Sequence, residues 1–168
     1  MTKTYTGTRF FVGEGSKKDS GHTEISIWID GALSVTEDPN LVGVAINIDA
    51  DKGNTLQFLR DTYPDIQVIP ITPWGKFVTP LNALFSQSLK SGADFTLMAS
   101  AGFAPSKERI APLLNRMHVD TLVTGAKLYG HTFELGYHKN SSGCQCPWNT
   151  FAVWQQQLSR TIRFSTWW

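Results

Sequence analysis

The chain has 168 residues, 41% of them hydrophobic and 17% charged, and a formal net charge of +1. That length suits one domain with a real core, the composition excludes a disordered chain, and the near-neutral charge offers no basic stripe for nucleic acid or an acidic membrane surface. No run approaches the roughly 18 apolar residues of a membrane span, residues 1–9 lack an apolar leader core, and Cys144 and Cys146 make no disulfide framework, so a cytoplasmic location is expected.

Met1 to His22 is rich in Gly, Ser, Thr and Lys around the patch Phe10-Phe11-Val12, and reads as loop with one short strand. Glu24 to Ile29 alternates polar and apolar residues, the pattern of a strand with one buried face. Asp30-Gly31 follows as turn chemistry, and Glu37 to Asn40 as loop. Val42 to Ile48 is apolar enough for a strand covered on both faces. Asn54 can cap a helix that carries Leu56, Leu59 and Tyr63 on one side.

Ile66 to Ile71 reads as a second apolar strand. Thr79-Pro80 places a capping residue before a proline at the first helical position, and Leu81, Leu84, Phe85 and Leu89 make the buried stripe of that helix, which Ser91-Gly92 ends. Phe95 to Ala99 is a third strand. Pro105-Ser106 opens a third helix bearing Ile110, Leu113, Leu114 and Met117, and Thr121 to Ala126 is a fourth strand. This alternation with short connections predicts right-handed crossovers and a three-layer α/β/α domain with a mainly parallel sheet, its core in residues 41–126. Farther on, Tyr129 to Tyr137 reads as a hairpin, His138 to Gly143 as a polar loop and Thr150 to Leu158 as a helix. The terminal pair Trp167-Trp168 reads either as a docked tail or as a chain that stops early.

Open parallel sheets bind ligands beyond the carboxyl ends of their strands. That rule selects Asp49, Asp51 and Lys52 after the first apolar strand, Thr72 to Lys76 leading to Asn82 after the second, and Ser100, Ala101 and Gly102 after the third. An ionised Asp49 could accept hydrogen bonds from ribose hydroxyls or a base N–H, or it could simply stabilise its own turn. Trp74 could stack on a ring with Lys76 near a phosphate, or cover the sheet edge beside a solvated lysine. His131, His138, Cys144 and Cys146 have the side chains of a zinc site, but Cys144-Gln145-Cys146 lacks the usual spacing, which favours free thiols. Gly13-Glu14-Gly15 lacks the third glycine of a dinucleotide loop.

Three of these segments carry a resemblance. Asn47-Ile48-Asp49-Ala50-Asp51, then Trp74-Gly75-Lys76 through Pro80-Leu81-Asn82-Ala83-Leu84 to Ser91-Gly92-Ala93-Asp94-Phe95, and last Cys146-Pro147-Trp148-Asn149-Thr150-Phe151-Ala152-Val153-Trp154 resemble, in that order, family 2 (GT-A type) glycosyltransferases and their nucleotide-diphospho-sugar transferase fold. The likeness covers Val42 to Trp154. It implies transfer of a sugar from a nucleotide-diphosphate donor to an acceptor hydroxyl, with Mg²⁺ or Mn²⁺ neutralising the pyrophosphate. Asp49 and Asp51 would hold the nucleoside, and Asn82 would face the diphosphate. Trp74, Lys76, Ser100, Trp148 and Asn149 would complete the nucleotide-sugar site, with residues 127–168 as an acceptor-side excursion. The family's Asp-x-Asp metal motif falls on Ser100-Ala101-Gly102, which has no carboxylate, so no metal ligand is assigned. A dozen residues between Ile29 and Val42 also make the first crossover short. The alternatives are a non-catalytic nucleotide-sugar-binding module and a nucleotidyltransferase on the same scaffold.

Overall fold

The central strand of the molecule is built from a segment that looks polar on paper. Thr4–Phe10 forms β1, in which threonine and aromatic residues, both well suited to a pleated surface, leave Tyr5 through Thr8 and Phe10 buried. The computed structural model describes residues 2–11, 18–49, 54–75, 78–127 and 151–159. Around β1 the order of elements is α1 (Lys18–Thr36), a 3₁₀ turn (Pro39–Leu41), β2 (Val42–Asn47), α2 (Asn54–Thr62), β3 (Gln67–Ile71), α3 (Val78–Lys90), β4 (Phe95–Ala99), α4 (Lys107–Leu114), β5 (Val123–Gly125), β6 (Phe151–Gln155) and α5 (Gln156–Ser159).

The six strands among the described residues join one sheet in the order β3-β2-β1-β4-β6-β5. The pairs β1–β2, β1–β4 and β2–β3 are parallel, whereas β6 runs antiparallel to both β4 and β5. Side chains alternate between two cores. Val42, Val44, Ile46, Leu97, Phe151 and Val153 pack with Ile25, Trp28, Ile29, Leu59, Ile110 and Leu113 on one face. Tyr5, Ala45, Ile71, Met98, Ala152 and Trp154 pack with Leu81 and Leu84 of α3 on the other. The architecture is therefore three layers, α/β/α, about a mainly parallel sheet.

Four expectations fail, each for a physical reason. Glu24 to Ile29 is helical: Ile25, Trp28, Ile29 and Ala32 are buried at the i, i+3, i+4, i+7 spacing, while Ile27, which a strand would have buried with its neighbours, is 59% exposed. Asp30-Gly31 is accordingly no turn. Gly31 sits inside α1 where a Cβ would lie 2.6 Å from the Pro105 carbonyl oxygen, so its lack of a side chain permits close contact with the α4 approach. The first crossover is complete, because α1 starts after β1 rather than after Ile29, and the core extends well outside residues 41–126. Thr150 to Leu158 is mostly strand: Phe151 to Trp154 are buried on both faces of β6 and only Gln156–Ser159 turns helical.

The remaining expectations stand with small shifts. Three of the four apolar strands appear as β2, β3 and β4. The fourth shrinks to Val123–Gly125, half-buried at the sheet edge and separated from β4 by β6. In α3 the helix begins at Val78, so Thr79 and Pro80 lie within its first turn, and Ser88 rather than the 40%-exposed Leu89 completes the buried stripe. Gly92, at φ +68°, ends that helix in the left-handed region glycine tolerates. Ser106 caps α4, its hydroxyl accepting from the Arg109 amide at 3.4 Å. The hairpin over 129–137, the loop over 138–143, the zinc-type residues His131, His138, Cys144 and Cys146, the Gly13-Glu14-Gly15 segment and the Trp167-Trp168 pair lie outside the described residues. Among the described residues no helix is long and apolar enough to cross a membrane.

Candidate functional site at the carboxyl edge of the sheet

β1 sends its chain leftward to β2 and β3, and the chain then returns to place β4 on the other side of β1. This reversal, at the carboxyl ends of β1 and β4, is the topological switch point at which open α/β sheets gather ligands. Phe11 leaves β1 there, Ile48 and Asp49 leave β2, Thr72 to Gly75 leave β3 and Ser100 to Gly102 leave β4.

Asp49 is tied into this edge through its amide and both carboxylate oxygens. β2 and β3 stay paired one residue past β2, with the Ile48 amide donating to the Ile71 carbonyl at 3.3 Å. The buried Asn47 side chain then turns the chain, its Oδ1 accepting from the Asp49 amide at 3.0 Å. The Asp49 carboxylate reaches across to the next loop, where Oδ1 accepts from the Thr72 hydroxyl at 2.5 Å and Oδ2 accepts from the Trp74 amide at 2.8 Å. Those two bonds, the hydroxyl first and the amide second, stabilise the ionised form and hold the carboxyl below the usual aspartate range. Asp49 thus shapes the β3–α3 loop, which contains a cis Thr72–Pro73 bond and Gly75 at φ +60°. The carboxylate remains at the surface, and two oxygens with about four acceptor positions leave capacity for a ligand donor.

The clamp on the Trp74 amide also presents its indole. The Trp74 ring is half-buried and meets Phe11 with centroids 5.8 Å apart at 51°, so the ends of β1 and β3 meet over the end of β2. Phe11 is 58% exposed. On the far side of β1, Ser100 is half-buried and its carbonyl accepts from the Phe103 amide at 2.8 Å, closing a turn through Ala101 and Gly102. With strands about 4.8 Å apart, the ends of β2 and β4 stand roughly 10 Å from each other across β1. Asn82 is exposed in the second turn of α3. Asp49 and Trp74 are therefore in direct contact, and Ser100 shares their edge two strands away. Asp51, Lys76, Trp148 and Asn149 lie outside the described residues.

Sequence reasoning passed over the β1 end of this edge. Arg9 and Phe11 were legible only if Thr4-Tyr5-Thr6-Gly7-Thr8-Arg9-Phe10 was taken as a strand, and the β-favouring Thr and aromatic content was the available signal. Arg9 is half-buried in β1, and burial lowers its guanidinium pKa from the ordinary value.

Whether a divalent cation fits here depends on donor chemistry. Mg²⁺ and Mn²⁺ take hard oxygen ligands, carboxylates above all. The turn after β4 itself supplies one hydroxyl and two residues without polar side chains, Glu24 of α1 brings Oε1 to 3.9 Å from where a Cβ on Gly102 would stand, and the Asp49 carboxylate bonds Thr72 and Trp74. No cluster of three His, Cys, Asp or Glu side chains fit to hold a metal occurs among the described residues.

Strand order and the antiparallel β6 define a three-layer α/β/α fold about a mainly parallel sheet. A solved structure with this fold, 4-diphosphocytidyl-2C-methyl-D-erythritol synthase from Anaerococcus prevotii, superposes on the chain with a TM-score of 0.57 and 14% sequence identity, over 94% of this chain and 71% of that one. No known protein-family profile matches the sequence. No curated protein matches it either.

Proposed function

We propose that the chain binds a nucleotide-diphosphate sugar at the carboxyl edge of its sheet and transfers the sugar to an acceptor hydroxyl. The observation that carries this reading is the Asp49 clamp: a surface carboxylate, held ionised by Thr72 and Trp74, next to the switch point of a nucleotide-diphospho-sugar transferase-like fold. In this reading Asp49 accepts from the nucleoside, Trp74 gives a stacking surface and Asn82 faces the diphosphate, with Asp51, Lys76, Ser100, Trp148 and Asn149 as further contacts. The acceptor oxygen would bond the anomeric carbon as the bond from that carbon to the diphosphate breaks, and the acceptor proton would pass to a base. Mg²⁺ or Mn²⁺ is not assigned a role, because the described residues bring together no group of three His, Cys, Asp or Glu side chains.

One observation favours a second reading, binding without turnover: Ser100-Ala101-Gly102 offers no carboxylate at the end of β4. Calorimetric titration with UDP-, GDP- and CDP-sugars, each with Mn²⁺ and with EDTA, tests both. The cytidine nucleotide belongs in that panel because the name of the solved neighbour carries a diphosphocytidyl group. Binding with release of nucleoside diphosphate supports transfer, binding without release supports the module, and no binding by any of the three rejects both.

A further inference from the structure

The transfer proposed above leaves one role open, that of the base that receives the acceptor proton. Carboxylates and imidazoles are the usual side chains for it, and Asp49, His22 and Glu24 stand near the ends of β2, β1 and β4 in different surroundings. Asp49 turns both carboxylate oxygens onto the loop after β3, one on the Thr72 hydroxyl and one on the Trp74 amide. His22 lies flat on Phe58 of α2, with ring centroids 4.1 Å apart and planes 3° from parallel. Its ring is thereby turned toward α2, away from β4. Glu24 follows two residues later, which in an α-helix is about 200° around the axis. It is exposed, and its Oε1 stands 3.9 Å from where a Cβ on Gly102 would lie, in the turn after β4. Gly31, seven residues on and so on the same flank of α1, packs against Ala104 and Pro105. The seam between α1 and the loop after β4 is thus held at two points, and it keeps Glu24 at the carboxyl end of β4. Among the described residues none bonds or pairs with the Glu24 carboxylate.

We infer that Glu24 is the catalytic base of the proposed transfer. The inference rests on that reading and fills the role it leaves open. With the nucleoside held by Asp49 and Trp74 beyond β2 and β3, the sugar end of the donor reaches across β1 toward β4, where Glu24 stands. The acceptor oxygen bonds the anomeric carbon as the bond from that carbon to the diphosphate oxygen breaks, and the electron pair of that bond leaves with the diphosphate. The acceptor proton passes to a Glu24 carboxylate oxygen, so the base begins as a carboxylate and ends as a carboxylic acid, and nothing is oxidised or reduced. A base must offer an oxygen that no protein donor holds. Glu24 meets this among the described residues, whereas each Asp49 oxygen already accepts a protein hydrogen bond.

Donor hydrolysis, with water as the acceptor, tests the assignment without a known acceptor. Release of nucleoside diphosphate from UDP-glucose, GDP-mannose and CDP-glucose is followed for wild type, Glu24→Gln, Glu24→Ala and His22→Gln. Thermal melts show whether each is folded, and calorimetry gives the affinity for UDP, GDP and CDP. Glu24→Gln should lower kcat on the preferred donor about 10²- to 10⁴-fold, the usual contribution of a positioned base. Its KM and its affinity for the matching nucleoside diphosphate should stay within about threefold of wild type. Added formate should restore part of the turnover of Glu24→Ala and none of that of Glu24→Gln, because a small carboxylate fits only the space that the shorter side chain vacates. His22→Gln should keep kcat within about threefold. A Glu24→Gln protein that turns over like wild type, a loss confined to KM, no rescue of Glu24→Ala by formate, or failure of both Glu24 variants to fold would overturn the inference and leave the transfer reading standing. Nucleotide binding by wild type without release from any of the three donors would instead remove the transfer, and the base with it.

Discussion

Gly43→Ala probes the pairing on which the whole site depends. Tyr5 of β1 lies across Gly43 of β2, so a Cβ at position 43 would fall 1.7 Å from the Tyr5 hydroxyl oxygen and 2.6 Å from the ring carbon Cζ. Both are far inside van der Waals contact, and the ring cannot evade by rotating its hydroxyl because the ring carbon clashes as well. Tyr5 is fully buried in the α3-side core. Expelling it would lose up to about 4–6 kcal/mol, taking 150–250 Å² of tyrosine surface at about 25 cal/mol/Å². Local adjustment of the kind that overpacked cores make costs about 1–3 kcal/mol, and removing a glycine from a strand returns about 0.5–1 kcal/mol. The net expectation is a loss of about 2–4 kcal/mol, measured by urea unfolding followed by far-ultraviolet circular dichroism. Gly7→Ala is the comparison, since its Cβ would meet Leu84 Cδ2 at 3.2 Å and Met98 Sδ and the Tyr5 ring carbon Cε1 at 3.3 Å, none of them closer than 3.0 Å, and should cost clearly less. In the double variant Tyr5→Ala/Gly43→Ala the two effects should sum to less than the separate losses. A Gly43→Ala protein within about 0.5 kcal/mol of wild type, or fully additive effects, would mean that Tyr5 does not cover Gly43 and that β1 is not seated beside β2 as described.

Other consequences follow from the same geometry. Thr6 and Thr8 are buried in β1 with hydroxyls that have no hydrogen-bond partner among the described residues, so Thr8→Val should raise stability by about 1 kcal/mol in urea unfolding; a loss of that size would show that the hydroxyl is satisfied. At the opposite edge of the sheet, the buried Gln156 side chain donates to Ser88 at 2.7 Å and to Thr96, joining α5, α3 and β4. Gln156→Leu should therefore cost about 1–3 kcal/mol, and an unchanged midpoint would discount that network. The Asp49 carboxyl is depressed by Thr72 and Trp74, so the clamp contributes at pH values above the ordinary aspartate range and is lost as pH falls through the lower folded value. The Trp74 backbone amide, followed by NMR, should report a midpoint below that of an unperturbed aspartate and lose the transition in Asp49→Asn; a midpoint at or above the ordinary value contradicts the clamp.

Most of the sheet could be read directly because its buried strands announce themselves. Val42 to Asn47 and Phe95 to Ala99 are buried nearly throughout, and a continuous apolar run in a parallel sheet is a strong signal. β1 carries the same burial in a different alphabet. Its inward positions are Thr6 and Thr8 on one face and Tyr5 and Gly7 on the other, so hydrophobicity alone ranks it as loop, although threonine and tyrosine fit a strand well. With residues 1–22 reading as loop and one short strand, Glu24 to Ile29 competes as the first full strand, and a six-residue window cannot separate period 2 from period 3.6 when Ile25, Ile27 and Ile29 satisfy the first while Ile25, Trp28, Ile29 and Ala32 satisfy the second. β6 was misjudged for the opposite reason: Phe151 to Gln155 is short, and the glutamines that follow it favour helix.

The site shows the same division. Asp49, Trp74 and Ser100 follow from the rule that loops at the carboxyl ends of parallel strands share an edge. What no pattern could supply is that the Asp49 carboxylate is turned sideways onto Thr72 and Trp74, because a long-range side-chain bond leaves no trace in local sequence. Arg9 and Phe11 were hidden with the strand that carries them.

The most direct measurement is a map of amide chemical-shift changes on adding UDP, GDP or CDP to isotope-labelled protein. Binding at the proposed site predicts that the largest changes fall on Arg9, Phe11, Asp49, Trp74 and Ser100. Changes concentrated instead on Asp94, Phe95 and Gln156, which line a cavity of about 380 Å³ at the amino edge of the sheet, would contradict it.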